Sequence, residues 1–121
     1  MKLTFIGATS TVTGSMILGE SGELKFLVDA GLYQGEDTPK LDESEKELSE
    51  IVNIKELDAI FLTHAHLDHC GYIPRLARLG FKGKVYCTSH TRAIAKVIMS
   101  DNARIELDRV KRHNKKIEKE K

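Results

Sequence analysis

Residues 57–71 read LDAIFLTHAHLDHCG. An unbroken apolar run, Ala59 to Leu62, ends at Thr63, and three of the chain's five histidines then fall within six residues, with an aspartate among them. The run is short and continuous, which predicts a buried strand whose end delivers the histidines. In an extended segment residues two apart point the same way, so His64 and His66 can reach one ion together. Asp68 and His69 follow where the chain turns into a helix and can face a second ion. The order H-x-H-x-D-H thus offers two ligands to each of two metals, and two-metal hydrolytic sites hold their ions about 3.5–4 Å apart. Imidazole ligands favour zinc over magnesium or calcium, which prefer all-oxygen cages. A single loop histidine is usually only solvent-facing; three with an aspartate at this spacing point to metal.

Outward from the cluster, YIPRLARLG (72–80) has Ile73, Leu76 and either Leu79 or Ala77 at helical spacing, Pro74 acceptable in the first turn and Gly80 as a stop. KVYCT (84–88) reads as a strand, and TRAIAKVIMS (91–100) as a helix with Ile94, Val97 and Ile98 on its apolar side. Beyond Asp101 a thin stripe of Ile105, Val110 and Ile117 runs through a highly charged helix. Upstream, KLTFI (2–6) and SMILG (15–19) suggest strands around a turn-rich loop, and ELKFLVDAG (23–31) a strand covered on both faces. Residues 35–50 read as an acidic surface excursion ending in a short helix that buries Leu48, Ile51 and Val52. Strands in a run, then strand, helix, strand, helix, predict an α/β sheet with helices on its faces. Asp29 ends FLVDAG as the histidines end AIFLTH. If those strands are neighbours, its carboxylate can orient a histidine; the plainer alternative is a strand-end aspartate opening a turn with Gly31.

At 121 residues, 40% hydrophobic and 31% charged, the chain has the composition of a single globular domain at most. The net charge of +1 excludes little, but charge is unevenly spread. Residues 36–50 carry seven acids against two lysines, and 109–121 carry seven Lys or Arg against two glutamates. No aromatic platform accompanies that basic run, so a solvated helix is the expectation rather than a nucleic-acid surface. No stretch has the length of a membrane span or a secretory leader, and a cytoplasmic location is expected. Cys70 and Cys87 are too few for a disulfide framework. Both are expected to be buried, Cys87 in its strand and Cys70 as a small apolar packer beside His69. His90 is expected beside a helix cap, and His113 in solvent.

The motifs GATSTVTGS (7–15), VDAGLYQG (28–35), THAHLDHCGYIPRL (63–76) and GKVYCTSHTRAIAKVIMSDNARI (83–105) together resemble the metallo-β-lactamase fold hydrolases. Within that fold they look like the β-CASP branch of RNA-cleaving enzymes, and the resemblance covers essentially the whole chain. It implies a phosphodiesterase acting on RNA, with two Zn(2+) per complete site. His64 and His66 would hold one ion and Asp68 and His69 the other, with Asp68 and Asp29 the carboxylates serving catalysis. It also implies that residues 1–121 are the N-terminal half of an αββα sandwich, without the later metal ligands and without the β-CASP domain. Catalytic zinc normally takes three protein ligands, so four cannot complete two sites. Such a half is expected to bind metal weakly, to be nearly inactive, and either to self-associate or to await a C-terminal half. The competing functions are a thioester, lactone or other small-molecule hydrolase on the same motif, or an inactive metal-binding module.

Overall fold

The computed structural model of the chain describes residues 1–6, 14–31 and 41–120, with backbone alone at 41–45 and 120. Among the described residues five strands form one mixed sheet in sequence order: β1 (Lys2–Phe5), β2 (Ile17–Ser21), β3 (Leu24–Val28), β4 (Ala59–Phe61) and β5 (Lys84–Tyr86). The pairs β1–β2 and β2–β3 are antiparallel, and β3–β4 and β4–β5 are parallel. Parallel neighbours need a crossover, and helices supply both. Between β3 and β4 lies α1 (Leu41–Ile51); between β4 and β5 lie α2 (Leu67–Cys70) and α3 (Ile73–Arg78). The chain ends in one long helix, α4 (Ser89–Glu120).

Cross-strand register sorts the side chains into two faces. Leu18, Leu27 and Ile60 lie opposite one another along one row and are fully buried. They meet Leu48 and Val52 from the end of α1, Leu76 from α3, and Tyr72, in one core. The neighbouring row, Phe5, Ile17, Val28, Phe61 and Tyr86, points to the other side. There Phe5 is 59% exposed, Phe61 41% and Tyr86 50%. Phe61 stacks on Tyr86 at 5.4 Å between centroids and meets Phe26 edge-on at 5.5 Å. Gly19 lacks the Cβ that would collide with the Phe26 ring, so that ring lies across β2. β3 is therefore covered on one face only, against the expectation from its continuous apolar run. Its sequence is that of a doubly covered strand; among the described residues a second layer is absent.

Three further details differ from the sequence reading, two on helices and one beside a strand. Ile51 is exposed, because the buried side of α1 runs through Leu48 and continues to Val52. On α4 the packed residues are Thr91, Ala95, Ile98 and Met99, while Ile94 and Val97 face solvent. The small Ala95 lets α4 approach Leu62 and Cys70 closely, a choice that apolar spacing alone does not reveal. Cys87 is exposed, since β5 is an edge strand ending at Tyr86. Ile105, Val110 and Ile117 are exposed along the charged part of α4, and among the described helices none is long and apolar enough to cross a membrane.

Candidate metal centre

Asp29 and Thr63 lie just past the C-terminal ends of the parallel neighbours β3 and β4, where α/β sheets build their sites. The ladder continues one residue beyond the strands, with Asp29 N–H donating to the Phe61 carbonyl at 2.8 Å and Leu62 N–H to that of Tyr86 at 2.9 Å. Residues 62–66 form neither strand nor helix, and His66, with φ of −77° and ψ of 148°, is the extended N-cap of α2. The His66 carbonyl accepts from His69 N–H at 2.9 Å and Cys70 N–H at 3.0 Å, which starts the helix. His64 and His66 thus stand on the connection between β4 and α2, and Asp68 and His69 on the first turn of that helix.

The structure brings the four residues together. The His64 ring lies 4.8 Å from that of His66 and 3.8 Å from that of His69, centroid to centroid. His69 Nε2 is 3.6 Å from Asp68 Oδ2. His64 therefore sits between its two neighbours rather than in a separate pair with His66. Among the described residues no three of the histidine, cysteine, aspartate and glutamate side chains are placed to hold one ion. The donors suit zinc, since they are imidazole nitrogens and a carboxylate, but they constitute a partial set.

Asp29 anchors the cluster from beneath. It is 3% exposed, and its backbone has a φ of 62°, a left-handed conformation that aspartate adopts more readily than most residues. Its Oδ1 accepts from Thr63 N–H at 2.8 Å and its Oδ2 from the Thr63 hydroxyl at 2.8 Å. The same Oδ2 lies 2.9 Å from His69 Nδ1. A carboxylate only accepts, so the neutral ring carries its hydrogen on Nδ1 and turns the bare Nε2 toward Asp68. Residues 29–31 make no turn; Gly31 N–H instead donates to the Ser15 carbonyl at 3.1 Å.

The short helix α2 is held by backbone. Ser15 N–H donates to the Asp68 carbonyl at 2.8 Å, Ala30 N–H to that of His69 at 2.7 Å, and Tyr72 N–H to that of Ala30 at 2.9 Å. A Cβ on either Gly14 or Gly31 would collide with the Asp68 carbonyl oxygen. These glycines, Ser15 and Thr63 are the site residues that chemistry-bearing side chains did not flag; the signal was glycine at a fixed place beside Asp29 and before the second strand. Cys70 is fully buried against Leu62 and Ala95. Burial pushes its thiol pKa up, and the Asp29 and Asp68 charges add to the effect. His90 and His113 are exposed on α4, away from a ligand role. Most of the 7–15 motif and residues 32–35 lie outside the described residues.

The chain is 36% identical over 105 residues to ribonuclease TTHA0252 of Thermus thermophilus, covering 87% of the chain and 23% of that protein. It is 35% identical over 104 residues to transcription termination factor FttA of Methanocaldococcus jannaschii, covering 84% of the chain and 16% of the factor. With Integrator complex subunit 11 of Danio rerio it shares 30% over 111 residues, 90% of the chain and 19% of the subunit. The chain thus spans less than a quarter of the length of each. Among solved structures, the short form of human tRNase Z superposes with a TM-score of 0.55 at 19% identity, over 85% of the chain and 41% of the enzyme, a likeness of fold. Residues 11–118 match the family of that fold, and the chain belongs to the metallo-beta-lactamase superfamily.

Proposed function

We propose that this chain forms the first metal-binding part of a zinc-dependent phosphodiester hydrolase acting on RNA. The observation that carries the reading is the cluster itself: His64, His66, Asp68 and His69 converge at the end of β4, with His69 fixed by Asp29, in a chain whose relatives include a ribonuclease. His64, His66, Asp68 and His69 are the residues that would hold zinc, two ions in the complete site. Bound there, zinc supplies Lewis acidity at the scissile phosphate and makes a water nucleophile available near neutral pH. Asp68 serves as a ligand, and Asp29 positions His69 without reaching substrate, because it is buried and its oxygens already accept from Thr63 and His69.

Two features support the reading that residues 1–121 are the first part of a larger domain. Four ligands fall short of the three per ion that catalytic zinc takes. The Phe5 to Tyr86 row is also a partly exposed apolar face with nothing on it among the described residues, which supports a second layer there. The experiment grafts residues 1–121 onto ribonuclease TTHA0252 in place of the matching segment. The graft should cut labelled RNA in a zinc-dependent way, His64→Ala should abolish cleavage, and residues 1–121 alone should bind zinc weakly and leave RNA intact. Tight stoichiometric zinc with RNA cleavage by residues 1–121 alone would overturn the incompleteness. Hydrolysis of thioesters or lactones with RNA left intact would replace RNA as the substrate.

A further inference from the structure

Thr63 has a single hydroxyl hydrogen and three close neighbours. Asp29 Oδ2 lies 2.8 Å from its Oγ1, Asp29 Oδ1 3.0 Å and His64 Nδ1 3.0 Å. The two carboxylate oxygens can only accept, so the hydrogen goes to Asp29. The hydroxyl oxygen is then left with lone pairs toward His64, and a 3.0 Å contact there is a hydrogen bond only if Nδ1 carries the proton. A neutral imidazole has one N–H, so Nε2 of His64 is bare. We propose that Thr63 is a positioning residue that relays the Asp29 carboxylate to His64 and fixes that ring in its Nδ1–H form, the ligating Nε2 turned outward. One buried carboxylate thereby sets two rings: His69 by direct contact and His64 through a hydroxyl.

The relay explains why the cluster is preceded by a hydroxyl residue rather than by another apolar one. Thr63 N–H donates to Asp29 Oδ1 at 2.8 Å whatever side chain residue 63 carries, so the backbone link survives substitution and the hydroxyl contributes something separate. That contribution is orientation. A ring with its proton on Nδ1 and its torsion limited by a hydrogen bond offers a metal a lone pair already aimed, and loss of such a partner typically lowers metal affinity about 10–100-fold.

The assignment of Nε2 as a ligand rests on the metal-centre reading, but the tautomer does not, and the test separates them. Histidine-labelled 15N spectra of the metal-free protein, taken with chelator at a pH where the rings are neutral, distinguish a protonated Nδ1 from a protonated Nε2. His64 and His69 should both be Nδ1–H. In Thr63→Val, His64 should become a mixture of tautomers while His69 stays Nδ1–H, and zinc affinity should fall about 10–100-fold. Thr63→Ser should restore both. A His64 that is mainly Nε2–H in the unsubstituted protein, or unchanged in Thr63→Val, overturns the relay. Should Thr63→Val fail to fold, the unsubstituted spectrum still decides. If the tautomers are as assigned and zinc does not bind, the relay stands and the metal reading falls.

Discussion

Replacing Asp29 with asparagine removes a charge and almost nothing else. Asparagine has the same shape and tolerates the left-handed backbone that residue 29 adopts, φ 62°, so the main chain need not move. The loss is confined to acceptors. Asp29 now accepts from Thr63 N–H at 2.8 Å, from the Thr63 hydroxyl at 2.8 Å and from His69 Nδ1–H at 2.9 Å. An amide oxygen at Oδ1 can keep Thr63 N–H and take over the hydroxyl, which already lies 3.0 Å from that atom. The amide nitrogen then occupies the Oδ2 position and presents a donor to His69 Nδ1. That ring must move its proton to Nε2, the atom 3.6 Å from Asp68. All three charge-assisted hydrogen bonds to the carboxylate become neutral ones, a loss of about 1–3 kcal/mol of folding stability. The effect on zinc is larger in kind, because a protonated Nε2 cannot ligate: about a 10–100-fold loss of affinity, about 1.4–2.7 kcal/mol. Urea unfolding measures the first and competitive zinc titration the second. Asp29→Asn with zinc affinity unchanged would refute the reasoning, since it would mean that the carboxylate does not choose the nitrogen.

Two further outcomes follow from packing. Gly31→Ala places a Cβ against the Asp68 carbonyl, which belongs to backbone and cannot swing aside; overpacking of this kind costs about 1–3 kcal/mol, and the displaced α2 should weaken zinc binding as well. A variant with the unsubstituted urea midpoint and zinc affinity would show that α2 is not clamped. On the open face, Phe61 and Tyr86 are 41% and 50% exposed, so Phe61→Lys with Tyr86→Lys should remain folded. Sedimentation of residues 1–121 should show self-association that the double substitution reduces; a compact monomer that binds no apolar dye would count against an uncovered sandwich face.

The sequence was most legible where one local rule acted alone. The strand-to-helix change after β4 was read where the structure has it, and it brings His64, His66, Asp68 and His69 to one place, because that change depends only on neighbours in the chain. The two-and-two pairing did not appear, since His64 lies closer to His69 than to His66. Gly80, with φ 112°, and Pro74 bounded α3 for the same reason. Misreadings fell where burial depends on a distant partner. Ile94 and Val97 share the apolar character of Ile98, yet α4 docks through Ala95, since close approach to Leu62 and Cys70 requires a small side chain. Cys87 follows an apolar strand and is exposed because that strand is at the edge. The double covering expected of β3 is written in its sequence, but only one of the two layers is built from the described residues. Thr63 escaped notice because its chemistry is borrowed: a hydroxyl acquires meaning only once Asp29 and His64 are seen on either side of it.

The site is divided between two kinds of support, and the division bears on what each part of the sequence does. Donor atoms are placed by strand ends, which fix direction, whereas the helix that carries Asp68 and His69 is four residues long and cannot hold itself. Its position comes from three backbone hydrogen bonds, given by Ser15, given by Ala30 and received from Tyr72. Two glycines allow these contacts by leaving out a Cβ. Gly14, Asp29 and Gly31 therefore form one device with the cluster: the glycines let the backbone approach, and the carboxylate between them sets the histidines that the approach has brought into reach. A substitution at Gly14 or Gly31 should consequently weaken zinc binding without touching a proposed ligand. The residues that shape this candidate metal site extend well beyond its proposed ligands.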